Sequence, residues 1–548
     1  MPMRDAERRA WIGQSVGLIA LILTISSLPY LYAWWSAPPH LVYTGLMFDV
    51  PDHAQYWSWV TASRDALFIS NTMTPEPNPA TFMNPMMWVL SRVQRAFGLS
   101  FPALFQWWRT GALALFVPVL LAFMRVMVAE RDRQWLAVAL ALVGSGLGWI
   151  WVVAKTLTAS ADVAFPHDLN MIEPNTFWTM LSYPYILLAD ALILATLTGA
   201  WLAYRGKGWP AFLLAGLASA CLSVSHAYDL ITVYAVLAAF GSLEWLRMRR
   251  FPGRLALVGV VIGSMSGPAA LYYQQLTSGD PLWRSILSQY PNAGVWTPPH
   301  YHLFILMGIP LLLAIWALTR SDNWTDERRF VAVWAVTGLA LIYLPVVYQI
   351  KLLTGWQFPI AILAAHAWHE RVAPGLGRRM PARWAVAALI LLVSFTNLYL
   401  FAWRFIDLRR HAAPYYLHQD EVEALDWLAQ NADPSDVVIA PADMGQFVPN
   451  YGASRAYLAH WAMTNRFFER RDNVRRFFDA GELNGWRTDL LRREAVTLVL
   501  RSVWTVPADS AFDPAGSPGF ELLFARPRAQ IYRFTPPHTA HLVGASER

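Results

Sequence analysis

Residues 45–60, GLMFDVPDHAQYWSWV, carry two carboxylates three apart, Asp49 and Asp52, followed by His53 and a run of aromatics. A carboxylate can take a proton from a hydroxyl or hold a hard cation. A plainer role suits the same residues. Pro51, Asp52 and His53 also read as the start of an interfacial helix, with the acid as its cap and the aromatics as a belt at the membrane surface.

Other stretches carry similar chemistry. In AFPHDLNMIEPNTFW (164–178), His167, Asp168 and Glu173 could gather around a divalent cation such as Mg or Mn, or serve the following helix, with Asn175 as its cap. In SVSHAYDL (223–230), His226 and Asp229 are i,i+3 and share a helix face. A charge at membrane depth costs about 2.5–3.5 kcal/mol, so such a pair reads as functional; the alternative is a turn histidine bonded to Asp229. In LPVVYQIKLLTGWQFP (344–359), Tyr348, Gln349 and Lys351 offer the donors that a phosphate headgroup needs. Lys351 also suits snorkelling to the interface. Arg109, in FQWWRTG, is a further candidate for the phosphate. Arg455, His460 and Arg466 could close over a site, or lie on solvated surface. The chain has no Gly-x-Ser-x-Gly elbow, phosphate-binding glycine loop, His-Glu-x-x-His or Cys-x-x-Cys, so chemistry on soluble nucleotides is not expected.

The elements that must position these residues are membrane spans. Apolar residues make up 56% of the 548, charged residues only 15%, and there are 28 tryptophans. A soluble chain is nearer one-quarter charged. Runs such as 11–35 and 384–403 are long enough to cross a bilayer. Eleven spans are expected, at roughly 11–33, 103–128, 135–155, 177–203, 209–225, 229–246, 255–273, 301–318, 330–349, 353–369 and 384–403. The first reads as a signal anchor, since Trp34 and Trp35 stand where a cleavage site needs small residues. Alternate loops are basic: Arg247, Arg249, Arg250 and Arg254 crowd one, whereas the opposite set, tail excluded, holds only Arg64, Arg92, Arg95, Arg284 and Lys351. The positive-inside rule then puts the N-terminus in the cytoplasm of a multi-pass plasma-membrane protein, with the acidic, aromatic loops and the tail outside. The net charge of +6 follows from these loops and does not point to nucleic acid. The single Cys221 allows no intrachain disulfide.

Residues 1–403 read as a transmembrane domain with a long first external loop, 34–102, and residues 404–548 as an external α/β domain. Helical periodicity is expected over 420–431, with helices over 464–479 and 486–494. Strands are expected at 436–441, 496–502, 520–525 and 529–534, the last two forming a hairpin around RPR.

PDHAQYW (51–57) resembles the PDExxYW pattern that opens the first external loop of the GT-C membrane glycosyltransferases, which include protein O-mannosyltransferases, lipid A aminoarabinose transferases and oligosaccharyltransferase catalytic subunits. The layout of spans, acidic first loop and external C-terminal domain is similar along most of the chain. The resemblance implies a GT-C-like polytopic α-helical fold and an inverting enzyme that moves a sugar from a polyprenyl-phosphate donor to an acceptor glycan, lipid or protein. It implies Asp52 as the base, Asp49 as a second acid, and His53 where many members have Glu. His53, His226, Asp229, Asp443 and His460 are carried as substrate-site candidates. Where the oligosaccharyltransferase subunit has Trp-Trp-Asp-Tyr-Gly, this chain has PADMG, and only Asp443 and Gly445 match. Sequon reading is therefore not implied. A transporter or lipid flippase, or a non-catalytic assembly protein of the same fold, are the alternatives; a transporter often shows internal repeats, and none is evident.

Overall fold

Apolar sequence becomes helix wherever a chain must satisfy its own backbone hydrogen bonds out of water. The structure is a computed structural model that describes residues 5–158, 167–289, 296–319, 324–376, 380–452, 454–479, 481–503 and 512–536. Helices occupy all eleven stretches expected to be spans. Among the described residues, six helices are long and apolar enough to cross a membrane, or up to eight if each of two bent pairs is one span. The helices Trp209–Ser225, Asp326–Leu341 and Gln357–Ala367 are shorter, so length and composition do not carry the count to eleven.

The chain divides into two compact units. The helical unit comprises residues 1–33, 105–275 and 290–409. Its close packing uses small residues: a Cβ on Gly199 would sit 2.6 Å from the backbone nitrogen of Ala215, so the helices Pro184–Tyr204 and Trp209–Ser225 meet backbone to backbone. Ion pairs join connections that the charge pattern assigns to one side. Arg205 reaches Asp326 at 2.9 Å, Arg247 reaches the same Asp326 at 3.4 Å, and Glu370 is shared by Arg328 (3.0 Å) and Arg133 (3.2 Å).

Three spans of this unit are interrupted at one level. Arg131–Val143 and Gly148–Thr158 bend by 42°, Ala382–Val393 and Phe395–Arg409 by 54°, and Leu303–Thr319 is kinked at Gly308. The freed backbone groups find partners across the breaks. Ser145 donates its N–H (2.8 Å) and hydroxyl (2.6 Å) to the Val393 carbonyl. The Leu147 N–H goes to the Ile305 carbonyl at 2.7 Å, and the Thr396 hydroxyl to Gly146 at 3.0 Å. Unsatisfied groups there would cost several kcal/mol each, which is why the interruptions coincide.

The mixed unit comprises residues 34–104, 276–289 and 410–548, so the first loop folds with the tail. Leu41–Tyr43 pairs antiparallel with Tyr416–His418. The five-stranded sheet runs in the order Arg455–Ala456, Val437–Ile439, Leu498–Ser502, Ala529–Phe534, Phe520–Ala525, parallel for the first two pairings and antiparallel for the last two. Helices Gln419–Asn431, Phe467–Phe478 and Asn484–Arg493 complete this part, and Val437, Ile439, Val474, Phe477, Leu490 and Val499 form its core. Each strand and helix expected in the tail is present within a few residues. The short edge strand Arg455–Ala456 is an addition, too brief to leave a period in the sequence.

Candidate active site

The helix Val50–Ala62 starts three residues earlier than the capping reading requires. Asp49 is its N-cap, in the left-handed region at φ 39°, with no side-chain cap bond, and Pro51 occupies the first turn. Asp52 is therefore inside the helix, and its carboxylate is not a cap. The Asp49 turn is held instead by His53, whose Nδ1 donates to the Asp49 carbonyl at 2.9 Å. His53 is buried and edge-on to Tyr56, with ring centroids 5.9 Å apart. Two adjacent residues thus do different work because successive helical side chains point about 100° apart.

The Asp52 carboxylate meets His460, with Oδ1 2.8 Å from Nε2. The carboxylate side chain is 23% exposed and the imidazole 2%. A short turn after the edge strand presents the ring. The Thr464 hydroxyl accepts from the Ala459 N–H (3.0 Å) and donates to the Met73 carbonyl (2.7 Å). Asn71 donates to the Met463 carbonyl at 2.8 Å. Behind this turn Arg470 lies buried between Glu76 (2.7 Å) and Glu494 (3.1 Å). Burial alone would raise the Glu76 carboxyl, but hydrogen bonds from Arg470, Thr74 and Asn465 together bring it down to about 2. Residues 71–76 of the first loop and 459–470 of the tail are therefore latched by a polar network, and the latch sets His460 on Asp52.

Asp443 sits on the exposed first turn of the short helix Ala442–Gly445. Its partner in the resemblance, Gly445, is structural: a Cβ there would collide with the Leu458 carbonyl. Arg455 donates to the Pro75 (2.6 Å) and Ser435 (2.8 Å) carbonyls, and Arg466 pairs with Glu494 at 3.0 Å, so both brace the fold.

In the helical unit, Lys351 is paired with Glu173 at 2.7 Å. His226 and Asp229 form a buried pair at 2.6 Å, as the turn reading expects, and Asp229 lies within electrostatic reach of Glu173 and Lys351. Tyr348 stacks on Tyr228 with centroids 5.6 Å apart. Gln349 accepts from the Thr297 N–H (3.0 Å) and donates to the Leu344 carbonyl (3.2 Å), which commits its amide to the backbone. Arg109 is buried; it bonds Ser26, Ser27 (2.7 Å) and Gln106 and lies over Tyr30, joining two helices. Asp190, in the apolar run ILLADALILA, belongs to no motif of the sequence. It is buried and accepts from Gln357 at 3.3 Å; a lone acid inside a span was the signal that marked it.

Of the cation set Asp168, Glu173 and His167, the two carboxylates are turned to different partners. Asp168 accepts from the Gly148 N–H (2.7 Å) and the Thr396 hydroxyl (3.1 Å), filling the interrupted level of the spans, while Glu173 is taken by Lys351. The side chain of His167 lies outside the described residues. Among the described residues no group of three His, Cys, Asp or Glu is arranged to hold a metal.

No protein-family model and no characterised protein matches the chain in sequence. Solved structures do match in fold. The apo oligosaccharyltransferase of Archaeoglobus fulgidus aligns with a TM-score of 0.55 at 13% identity, over 89% of this chain and 69% of that one. The archaeal oligosaccharyltransferase AglB of Archaeoglobus fulgidus, in complex with an inhibitory peptide and a dolichol-phosphate, aligns at 0.53 and 13% identity over the same shares. ArnT of Cupriavidus metallidurans bound to undecaprenyl phosphate gives 0.47 at 14% identity, over 94% and 98%. The chain has a GT-C-like fold, that of a polytopic membrane protein with a C-terminal sheet region.

Proposed function

We propose that this chain is an inverting membrane glycosyltransferase that transfers a sugar from a polyprenyl-phosphate donor to a hydroxyl acceptor on the non-cytoplasmic face, its N-terminus being cytoplasmic. The observation that carries the reading is the Asp52–His460 pair: a partly open carboxylate, fixed by a buried donor, in a chain whose fold is shared with an oligosaccharyltransferase. The neighbour AglB has been seen with a dolichol-phosphate, which supports a lipid phosphate as the donor's carrier here.

In the reaction, Asp52 takes the proton of the acceptor hydroxyl as its oxygen bonds to the anomeric carbon. The bond from that carbon to the phosphate oxygen breaks, the electron pair leaves with the polyprenyl phosphate, and the anomeric configuration inverts. Lys351 is the cation we assign to the donor phosphate; it would exchange its Glu173 partner for the phosphate oxygens. No step is assigned to a metal ion.

Asp52→Asn tests the reading. The amide oxygen can still accept from His460, so the fold is kept and only the base is lost. With radiolabelled polyprenyl-phosphate hexose added to membranes, and water standing in for the acceptor, turnover should fall by about 10²–10⁴-fold. Full retention would remove Asp52 from the mechanism. In sealed vesicles, uptake of the donor without sugar release would point to a transporter.

A further inference from the structure

His460 is held from both sides of its ring. The Ala462 N–H donates to Nδ1 at 3.2 Å, so Nδ1 carries a lone pair. The ring proton is then on Nε2, which donates to Asp52 Oδ1 at 2.8 Å. A second proton on Nδ1 would face the Ala462 N–H directly. The ring is buried, and Trp461 packs beside it with centroids 5.0 Å apart. Both ring nitrogens of His460 are therefore engaged, Nε2 as donor to Asp52 and Nδ1 as acceptor from Ala462.

From this we infer that His460 is a positioning residue of a reversed acid–imidazole dyad. In the familiar arrangement a carboxylate orients a histidine that acts as base; here a histidine locked in one tautomer orients the carboxylate. One Asp52 oxygen is occupied by Nε2–H. The other takes the proton from the acceptor hydroxyl and returns it to water after transfer. The hydrogen bond stabilises the ionised form of Asp52 and fixes its rotamer, so the base is charged and aimed before substrate arrives. The tail is thus part of the catalytic apparatus. The inference rests on the reading of Asp52 as base.

Among the described residues, the titratable groups on this helix, its cap and the two helices that pack most closely on it are Asp49, Asp52, His53 and Tyr56, Arg92 and Arg95 on Pro85–Phe97, and Tyr451 on Val448–Tyr451, with His460 facing Asp52 from the tail. His53 is committed to the Asp49 carbonyl and Arg95 to Asp65 at 3.1 Å. We assign the acid limb of the rate profile to Asp52, the carboxylate that accepts from His460.

The test compares His460→Ala, His460→Gln and Asp52→Asn in the full chain, in membranes supplied with polyprenyl-phosphate hexose. Melting temperatures are measured on the purified proteins. For His460→Ala we expect kcat to fall at least tenfold with KM for the donor little changed, and the acid limb of the pH–rate profile to move up by about one pH unit. His460→Gln, whose amide N–H replaces the lost donor, should restore the limb and most of the rate. If His460→Ala does not fold, the Gln variant alone decides: a wild-type limb supports the inference. A Gln variant as inactive as a folded Ala variant would overturn it and mark His460 as a proton carrier. An unmoved limb in a folded Ala variant would also overturn it, while Asp52→Asn stays inactive. Full activity of Asp52→Asn would instead sink the underlying reading.

Discussion

Glu76→Gln removes one charge from the latch and little else. Glu76 has its carboxyl held at about 2 against an ordinary 4.5, a displacement of about 2.5 pH units; at 1.36 kcal/mol each this is about 3.4 kcal/mol. The side chain is 30% exposed, so screening reduces the effect to about 2 kcal/mol. The folded-state value is depressed. The contribution is therefore fully present above pH 4.5 and is lost as pH falls through about 2. For a unit of this size, 2 kcal/mol corresponds to a fall of about 4–8 °C in melting temperature. Differential scanning fluorimetry of the detergent-solubilised chain should show that gap between wild type and Glu76→Gln at pH 7, and should show it narrowing between pH 4.5 and 3. Arg470→Met should cost more, because it strips the partner from both Glu76 and the buried Glu494. A gap that stays constant with pH, or an Arg470→Met variant no less stable than Glu76→Gln, would refute the ion-triad account.

Two further expectations follow from the helical unit. Lys351→Met leaves the buried Glu173 carboxylate uncompensated and should lower thermal stability; adding Glu173→Gln should recover stability but not donor turnover, measured by release of labelled hexose. Recovery of turnover in the double variant would remove Lys351 from donor binding. Gly148→Ala drives a methyl into the Asp168 carboxylate and should destabilise the interrupted spans by about 1–3 kcal/mol, read as a lower melting temperature; an unchanged value would show that the level can relax.

Much of the architecture was legible in the chain because it follows from local periodicity. Apolar runs marked the spans of the bundle, and short apolar segments marked the strands of the tail: DVVIAP and VTLVLRS are almost wholly buried, AQIYRF is buried at four of its six residues, and FELLFA, at the sheet edge, is only partly covered. Arg205 and Asp326, in two of the connections whose charge reads as basic, meet in an ion pair that the sequence did not announce. Span interruptions were less legible: Gly148 and Gly308 are ordinary glycines in an apolar setting until Asp168 and the Ser145 carbonyl are seen against them.

For the site, residue types and short spacing drew attention to Asp52, Lys351 and the His226–Asp229 pair, because an acid or a cation in an apolar chain is costly wherever it is placed. Which charges meet was a matter of tertiary structure. Asp52 and His460 are 408 residues apart, and Lys351 and Glu173 178 apart. The tautomer of His460 depends on one N–H of Ala462, and the burial of His53, next to Asp52, on the phase of a helix. Hydrogen bonds of this kind act over about 3 Å and depend on direction, so they are decided only once loop and tail have folded together. Hydrophobic periodicity, averaged over many residues, survives in the linear chain.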